Sequence, residues 1–188
     1  MAELYTQRTP TGLAVAQFIG ITTSAYLLGQ NASLSFISVP TIMLAPAPLA
    51  AKQWHKVLTI GGSLGIPLAM SSALAMAYVA SQQDTSSTSF KLNLAAALLI
   101  PSIVPFTLLF IAPVNNKLIE KMNALKAASL EEKGVEEGVA QDETVHALID
   151  KWATLNLARA GLIAGGVFCA VLAAVNKVGS RKFGKFGR

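Results

Sequence analysis

ETVHALIDKWATLNLARAGLIAGGVF, residues 143–168, begins as a water-soluble amphipathic helix and continues without a break into an apolar span. Trp152, Asn156 and Arg159 lie where the two parts meet, and their spacing places them on one helical face. An arginine near the centre of a membrane helix costs about 2.5–3.5 kcal/mol on insertion scales, so it usually faces a bundle interior or a polar cavity. We therefore predict an internal Arg159, whose guanidinium contacts Asn115, Asn116, Gln53 or a polar ligand atom. The alternative is a side chain that reaches back to the lipid headgroups, with Trp152 in the interfacial belt.

The composition is that of a polytopic membrane protein. The chain has 188 residues, of which 53% are hydrophobic and 13% charged, and its mean hydropathy is positive. The formal charge of +5 does not form a basic face with interleaved aromatic residues, so we expect no nucleic-acid partner. Cys169 is the single cysteine, which excludes a disulfide within the chain and a thiolate metal cluster.

Four apolar runs predict an all-α bundle of four membrane helices in a single domain, with both termini on one side. The spans are expected at about 12–30, 50–80, 92–112 and 152–175, with an amphipathic helix near 117–129 between the last two. A basic tail at 176–188 is expected to meet anionic lipid. Three prolines follow the first span and predict a kinked or broken segment there: Pro40, Pro46 and Pro48.

Two short patterns within the spans also carry predictions. Gly61 and Gly65 are four residues apart, a spacing typical of close helix packing in membranes. Asn31-Ala32-Ser33 is a glycosylation sequon, which would face the lumen if the termini are cytosolic. We predict a packing contact at the two glycines and a sequon too near the membrane for glycan transfer.

The topology brings most strongly polar residues of the spans to one end of the bundle. The start of the second span, the exit of the third and the start of the fourth lie at the same membrane face. The residues that share this level are Gln53, Trp54, His55, Asn115, Asn116, Trp152, Asn156 and Arg159, with His146 just above. Such a one-sided polar group at the mouth of a bundle predicts a small-molecule pocket.

Three blocks of the sequence resemble the anthrone oxygenase family. They are QWHKVLTIG at 53–61, PFTLLFIAPVNNKL at 105–118 and KWATLNLARA at 151–160, in the family's order. The matching positions are Gln53, Trp54 and Gly61; Pro105, Thr107, Pro113 and Asn115; and Trp152, Asn156 and Arg159. Leu58 departs from the pattern, since an aromatic residue, commonly Tyr, is expected there.

The resemblance implies oxidation of an anthrone to an anthraquinone by dioxygen, in a fungal polyketide pathway and with no added cofactor. The substrate would be an aromatic polyketide, and the protein would lie in the endoplasmic reticulum or another endomembrane. Because an anthrone methylene loses a proton to give a delocalised phenolate, the protein need only bind, deprotonate and stabilise it.

The predicted site follows from that chemistry. Arg159 pairs with the developing oxyanion, and Asn156 or Asn115 donates hydrogen bonds to it. Trp152 and Trp54 stack on the flat rings, while Gln53 and Asn116 contribute to substrate binding. The base is His55, His146 or a water held by an amide. A metal site of two histidines with a carboxylate is less favoured, because the sequence has no close-spaced ligand motif.

Two other classes of protein fit the same sequence. One is a non-catalytic membrane subunit or small-molecule-binding protein, in which Asn156 and Arg159 lock the bundle together. The other is a quinone-linked redox protein of similar shape, although dithiol chemistry needs a second cysteine beside Cys169. A cavity at Arg159 favours the enzyme, whereas a fully packed cluster of Trp152, Asn156 and Arg159 favours the structural role.

Overall fold

The computed structural model describes residues 10–132 and 134–183, with side chains as far as Asn176, and all regular elements in these ranges are helical. Four helical segments are long and apolar enough to cross a membrane: Thr11–Ile42, Ala47–Ser81, Thr88–Ala127 and Val145–Asn176. The predicted all-α four-helix fold is therefore confirmed. Each segment is longer than the apolar run that predicted it. Residues 184–188 of the predicted basic tail lie outside the described residues.

Seven α-helices and two π-helical turns build these four segments. The first contains α1 (Thr11–Ser33), a π turn (Leu34–Ser38) and α2 (Val39–Ile42); the second is α3 (Ala47–Ser81). The third contains α4 (Thr88–Leu99), α5 (Ile103–Phe106), a π turn (Thr107–Ile111) and α6 (Ala112–Ala124). The fourth is α7 (Val145–Phe183). Short 3₁₀ turns follow α6 at Leu125–Ala127 and precede α7 at Gln141–Glu143.

The amphipathic stretch predicted near 117–129 is largely helical. It continues the third span as α6 and the 3₁₀ turn Leu125–Ala127, instead of forming a separate helix. Beyond it, the loop that leads to α7 folds back on α6. Lys121 and Glu136 form an ion pair at 3.7 Å, and the carboxylate of Glu136 accepts the backbone N–H of Val145 at 3.0 and 3.1 Å. Glu136 thus satisfies a free donor at the N-terminus of α7.

Each π turn ends two residues before a proline. The turn Leu34–Ser38 precedes Pro40, and the turn Thr107–Ile111 precedes Pro113. A proline inside an α-helix clashes with the carbonyl four residues earlier, and a wider turn moves that carbonyl away. The predicted break after the first span is therefore a local widening at Pro40, and the full break comes at the turn before α3, where Pro46 and Pro48 start the new helix.

The four segments form a ring in chain order. α1 packs against α3, α3 against α4, α4 against α7, and α7 against α1. Two separate apolar cores fill the ring, one at each end. The core near the start of α7 contains Trp54, Leu118 and Trp152, whereas the other contains Met76 and Ile163. The layer between them is where the polar residues of the spans meet.

The outer surface of the ring is apolar along the spans. Large hydrophobic side chains are exposed on each of the four segments, among them Phe18, Ile66, Leu108 and Phe168. This is the surface that a helix bundle presents to lipid. Because the chain passes along the bundle four times, residue 10 and Asn176 lie at one end of it, and residues 125–132 and 134–144 lie at the other.

We expect α4 and α7 to be sensitive to any side chain at Gly166. A Cβ atom added there would lie 2.6 Å from Cγ1 of Ile100, so Gly166→Ala should destabilise the protein by about 1–3 kcal/mol through overpacking. Gly161→Ala is the matched control on the same helix, since a Cβ there meets nothing within 4 Å. Thermal unfolding of the purified protein measures both. Equal melting temperatures for the two variants would contradict the close packing.

Candidate functional site

Arg159 lies inside the bundle and binds three of its four segments. Its Nε–H donates to Oδ1 of Asn31 at 2.8 Å, Nη1 donates to Oγ1 of Thr107 at 3.1 Å, and Nη2 donates to Oδ1 of Asn156 at 2.6 Å. At 1.5 Å per residue, Arg159 is about 21 Å along α7 from Val145. The predicted internal position is therefore confirmed.

The three protein contacts predicted for Arg159, as alternatives to a polar ligand atom, are absent from its hydrogen bonds. Gln53, Asn115 and Asn116 do not bond its guanidinium, which reaches deeper residues of the first and third segments instead. Gln53 and Asn116 are exposed, because each lies at the water end of its helix and points away from the ring.

The acceptors around Arg159 are held in fixed orientations. Nδ2 of Asn31 donates to the carbonyl of Leu27 at 2.9 Å, and Nδ2 of Asn156 donates to the carbonyl of Trp152 at 2.7 Å. Each amide therefore keeps its oxygen towards the guanidinium. Both asparagines are buried. The site is thus preorganised, because its side chains are fixed by their own helices before anything binds.

No carboxylate neutralises Arg159 among the residues that the structure describes. The ion pairs found there, Lys117 with Glu143 and Lys121 with Glu136, lie at the end of the bundle. A guanidinium has five N–H donors, and the three bonds to neutral acceptors leave one N–H on each terminal nitrogen without a protein partner in the described ranges. A partly buried cation of this kind can bind an anion, since an anion both accepts these bonds and neutralises the charge.

A cavity of about 160 Å³ adjoins Arg159, Asn31, Thr107 and Asn156. Its other walls are mostly apolar. One wall is a face of α3 at helical spacing, formed by Leu58, Gly61, Gly62, Gly65 and Ile66. The first and third segments and Trp152 of α7 form the rest. The combination of an apolar chamber with a few convergent polar groups is typical of a small-molecule site.

The mouth of the cavity lies in the middle of the spans. Gly62 and Ile66 on α3, and Leu108 on the third segment, line the cavity and are also exposed on the outer surface. α3 contacts α4 at one of its ends and α6 at the other, and the opening lies between these contacts. The predicted pocket therefore exists, but it is deeper than the bundle mouth and opens on the apolar side of the ring.

The predicted packing contact at Gly61 and Gly65 was wrong. A Cβ at Gly65 would meet nothing within 4 Å, and one at Gly61 would meet only ordinary contacts with Gln30 and Leu34. These glycines widen the cavity. Close helix packing occurs elsewhere, as at Gly20, whose carbonyl accepts a hydrogen bond from Ser72 at 2.8 Å.

The two tryptophans have different positions. Trp152 lines the cavity, whereas Trp54 lies behind it in the apolar core, with its ring edge-on to Trp152 at 6.0 Å and 87°. Trp54 therefore fixes the orientation of Trp152 through an aromatic contact. The stacking of Trp152 on a substrate stays a prediction.

Neither predicted base lines the cavity. His55 is partly buried beside Trp54, with ring centroids 6.4 Å apart, and Nε2 of His146 lies 2.9 Å from the carbonyl oxygen of Ala45. Asn115 does line the cavity, together with Asn156 and Arg159. The structure thus brings four of the nine predicted site residues to the cavity: Asn115, Trp152, Asn156 and Arg159.

Sequence reasoning missed Asn31 as a site residue. Asn31 was interpreted as a sequon, yet it is only 4% exposed and bonds Arg159 across the bundle. An asparagine inside an apolar span was the available signal, because a buried amide needs a partner. Thr107 is a matching position in one of the blocks that resemble the anthrone oxygenase family. The sequence thus pointed to this residue, but no role was predicted for it.

No group of three or more His, Cys, Asp or Glu side chains that could hold a metal ion occurs within residues 10–132 and 134–183. Among the residues that line the cavity, Arg159 is the one that carries a charge. The polar chemistry of the site is thus one guanidinium, with amides and a hydroxyl around it.

Fold and site together define an all-helical protein with four helices long and apolar enough to cross a membrane, and with a cavity beside an arginine between them. Residues 54–169, more than half of the chain, match the sequence model of the family described as anthrone oxygenase, and the chain belongs to that family. A relative from Claviceps purpurea, named anthrone oxygenase, is 32% identical over 84% of this chain and 86% of its own.

Other relatives carry similar names. Anthrone oxygenase tpcL of Aspergillus fumigatus is 28% identical over 77% of this chain and 84% of its own, and Monooxygenase hypC of Dothistroma septosporum is 27% identical over 77% and 74%. No solved structure matches the chain. The family makes this chain an anthrone oxygenase-like monooxygenase.

The Arg159 network predicts unequal effects for two adjacent substitutions. Asn31→Leu leaves Nε–H of Arg159 without its acceptor and should destabilise the protein by about 1–3 kcal/mol, the cost of an unsatisfied buried donor. Gln30→Leu is the matched control, since Gln30 makes one long bond of 3.4 Å to the carbonyl of Gly61. Thermal unfolding should show the larger loss for Asn31→Leu. A reversed order would contradict the structural role of the Asn31 contact.

Proposed function

We propose that this protein oxidises an anthrone-type polyketide to an anthraquinone with dioxygen inside its helix bundle. One methylene group becomes a carbonyl, and the second oxygen atom leaves as water, so one molecule of dioxygen balances the reaction. The observation that carries the proposal is the partly buried Arg159, which has only neutral acceptors among the described residues and adjoins an apolar cavity. Family membership and the names of its relatives support the same chemistry.

The main requirement of this reaction is a positive charge that stabilises the substrate anion, because the anion itself can transfer an electron to dioxygen. Loss of one methylene proton gives an anion delocalised over the rings and the carbonyl oxygen, and such an electron-rich anion can pass an electron to dioxygen. Recombination forms a peroxide at the former methylene carbon, which then loses water to give the quinone. We propose that dioxygen is the co-substrate and that no added cofactor is required.

The positive charge of Arg159 is complementary to the negative charge that develops on the substrate during these reaction steps. Two N–H groups of its guanidinium are without partners in the described part of the chain, and they can donate to the oxygen that carries the negative charge. The apolar walls make this interaction stronger than it would be in water. Because Asn31, Thr107 and Asn156 hold the guanidinium in place, little reorganisation accompanies the charge build-up.

The rest of the cavity matches a flat, apolar ligand. Trp152 offers an aromatic surface for stacking, and the glycines of α3 leave room beside it. Leu58 stands in this wall where the family usually has an aromatic residue, so we place part of the substrate preference there. The mouth on the apolar side of the ring would admit a polyketide dissolved in the lipid.

We place the protein in the endoplasmic reticulum or another endomembrane of a fungus. Its four apolar helices support an integral membrane protein, and the relatives named above come from fungi. Its partners in this proposal are an aromatic polyketide and the surrounding lipid. A non-catalytic small-molecule-binding role would use the same cavity, and turnover distinguishes the two.

The substitution Asn31→Asp tests whether the unneutralised charge of Arg159 is required for the reaction. The new carboxylate would lie next to Nε of Arg159 and form an ion pair, which offsets the lost bond from Asn31 to the carbonyl of Leu27. We expect a folded protein that oxidises anthrone at least ~10²-fold more slowly, the usual loss when stabilisation of an oxyanion is removed. Quinone absorbance under oxygen measures the rate, and thermal unfolding checks the fold.

Two results of this experiment would count against the proposal. If the purified wild-type protein forms no quinone from anthrone under oxygen, the proposed reaction is wrong. If Asn31→Asp is folded and keeps the wild-type rate, the unneutralised charge of Arg159 is not what drives the reaction.

The cavity itself can be filled without disturbing the fold. Gly65→Leu places a side chain in the chamber, where an added Cβ meets no protein atom within 4 Å, so we expect unchanged stability and a rate lowered by ~10-fold or more. Gly29→Leu is the matched control, because Gly29 is equally open but lies outside the cavity lining. Equal rates for the two variants would place the substrate elsewhere.

A further inference from the structure

The lining of the cavity has no group that could act as a base. The four segments contribute apolar, amide, hydroxyl and indole groups, and the ionisable side chain among the lining residues is that of Arg159. A guanidinium is protonated at neutral pH, so it cannot accept a proton there. The removal of the substrate's proton therefore needs another explanation.

Titratable groups on the surrounding helices all lie away from the chamber. Those nearest along each segment are Tyr26 on α1, His55 and Lys56 on α3, Lys117 on α6, and His146, Asp150 and Lys151 on α7. Tyr26 is 60% exposed on the outer surface, and Lys56, Lys117, Asp150 and Lys151 are exposed too. His146 has its Nε2 against the carbonyl of Ala45, in the turn before α3.

We propose that the substrate ionises without a protein base, and that Arg159 makes it acidic enough to do so. This inference rests on the proposed function, because it concerns the same cavity and the same substrate. The substrate hydroxyl or methylene group releases its proton to bulk water as the ligand binds, and the anion stays beside the guanidinium. The later peroxide step takes up one proton, so the whole reaction releases none.

Two opposing effects decide whether a bound ligand ionises. The apolar walls favour the neutral form, whereas a cation in contact favours the anion. A carboxyl group beside an arginine ionises about 1–3 pH units lower than it does alone. Because Arg159 has no other counter-charge among the described residues, its full charge acts on the ligand. We therefore expect the cation to outweigh the apolar walls.

A coloured product analogue reports this effect without any turnover. 2-Hydroxyanthraquinone changes its absorbance when its hydroxyl group ionises, so its titration can be followed when it is bound to the full-length protein in detergent micelles. We expect half-ionisation at least 1 pH unit lower than in protein-free micelles. Arg159→Gln and Asn31→Asp should each move it back, the first by removing the cation and the second by neutralising it. A wild-type value equal to or above that in protein-free micelles overturns the inference.

Turnover tests the histidines directly. If no protein base acts, His55→Gln and His146→Gln should keep anthrone oxidation within ~3-fold of wild type, and the acid limb of the kcat/KM profile should move with the acidity of the anthrone used. Loss of turnover by ~10²-fold in either variant, rescued by raising the pH, would overturn the inference and leave the proposed reaction intact. A different result would refute the proposed reaction alone. In that case the wild-type protein forms no quinone, but bound 2-hydroxyanthraquinone still reaches half-ionisation at a lower pH than in protein-free micelles.

Discussion

A partly buried arginine with no carboxylate partner in the described part of the chain governs the organisation of this bundle. Arg159 donates to Asn31, Thr107 and Asn156, one acceptor from each of three segments, in the layer between two apolar cores. Ionised groups are costly inside a helix bundle, so the surrounding helices must supply acceptors at fixed positions. The contact therefore sets the rotation of the first and third segments about their axes. It also leaves an unfilled chamber beside the charge, because the acceptors surround only part of the guanidinium.

The prolines provide the geometry that this contact requires. Pro40 and Pro113 each follow a π turn, and these turns lie beside the chamber, where they contribute Leu34, Thr107 and Ile111 to its walls. Single π turns inside α-helices occur frequently at functional sites, since they shift the register of side chains along one helix face. Ser35 of the first turn also donates to the carbonyl of Ala153 at 2.8 Å, which ties that turn to α7. Irregular backbone and site thus occur at the same depth of the bundle.

Much of this arrangement could be predicted from the sequence, and the limit of prediction has a physical cause. The apolar runs identified the spans, and helical spacing within α7 placed Trp152, Asn156 and Arg159 on one face, since both signals are local. Which residues of the other helices contact Arg159 depends on how each helix is rotated about its axis. The sequence of a single span does not determine that rotation. The prediction placed Gln53 and Asn116 in the site only because of their depth along the bundle axis. The rotation of their helices instead puts both side chains on the exposed surface. The same gap hid Asn31, whose local sequence is equally typical of a glycosylation site.

Amide acceptors around Arg159 have a different effect from carboxylates: they hold the guanidinium in place without neutralising its charge. An aspartate in place of Asn31 or Asn156 would neutralise the guanidinium and occupy its charge permanently, as in a structural ion pair. Asparagine and threonine oxygens satisfy donors without cancelling the charge, so the site keeps its attraction for an anion. The cost is a bundle that contains an unneutralised cation when empty, and the apolar cores on either side must compensate for it. In the proposed function that cost is the condition for attracting an anionic ligand into the cavity beside Arg159.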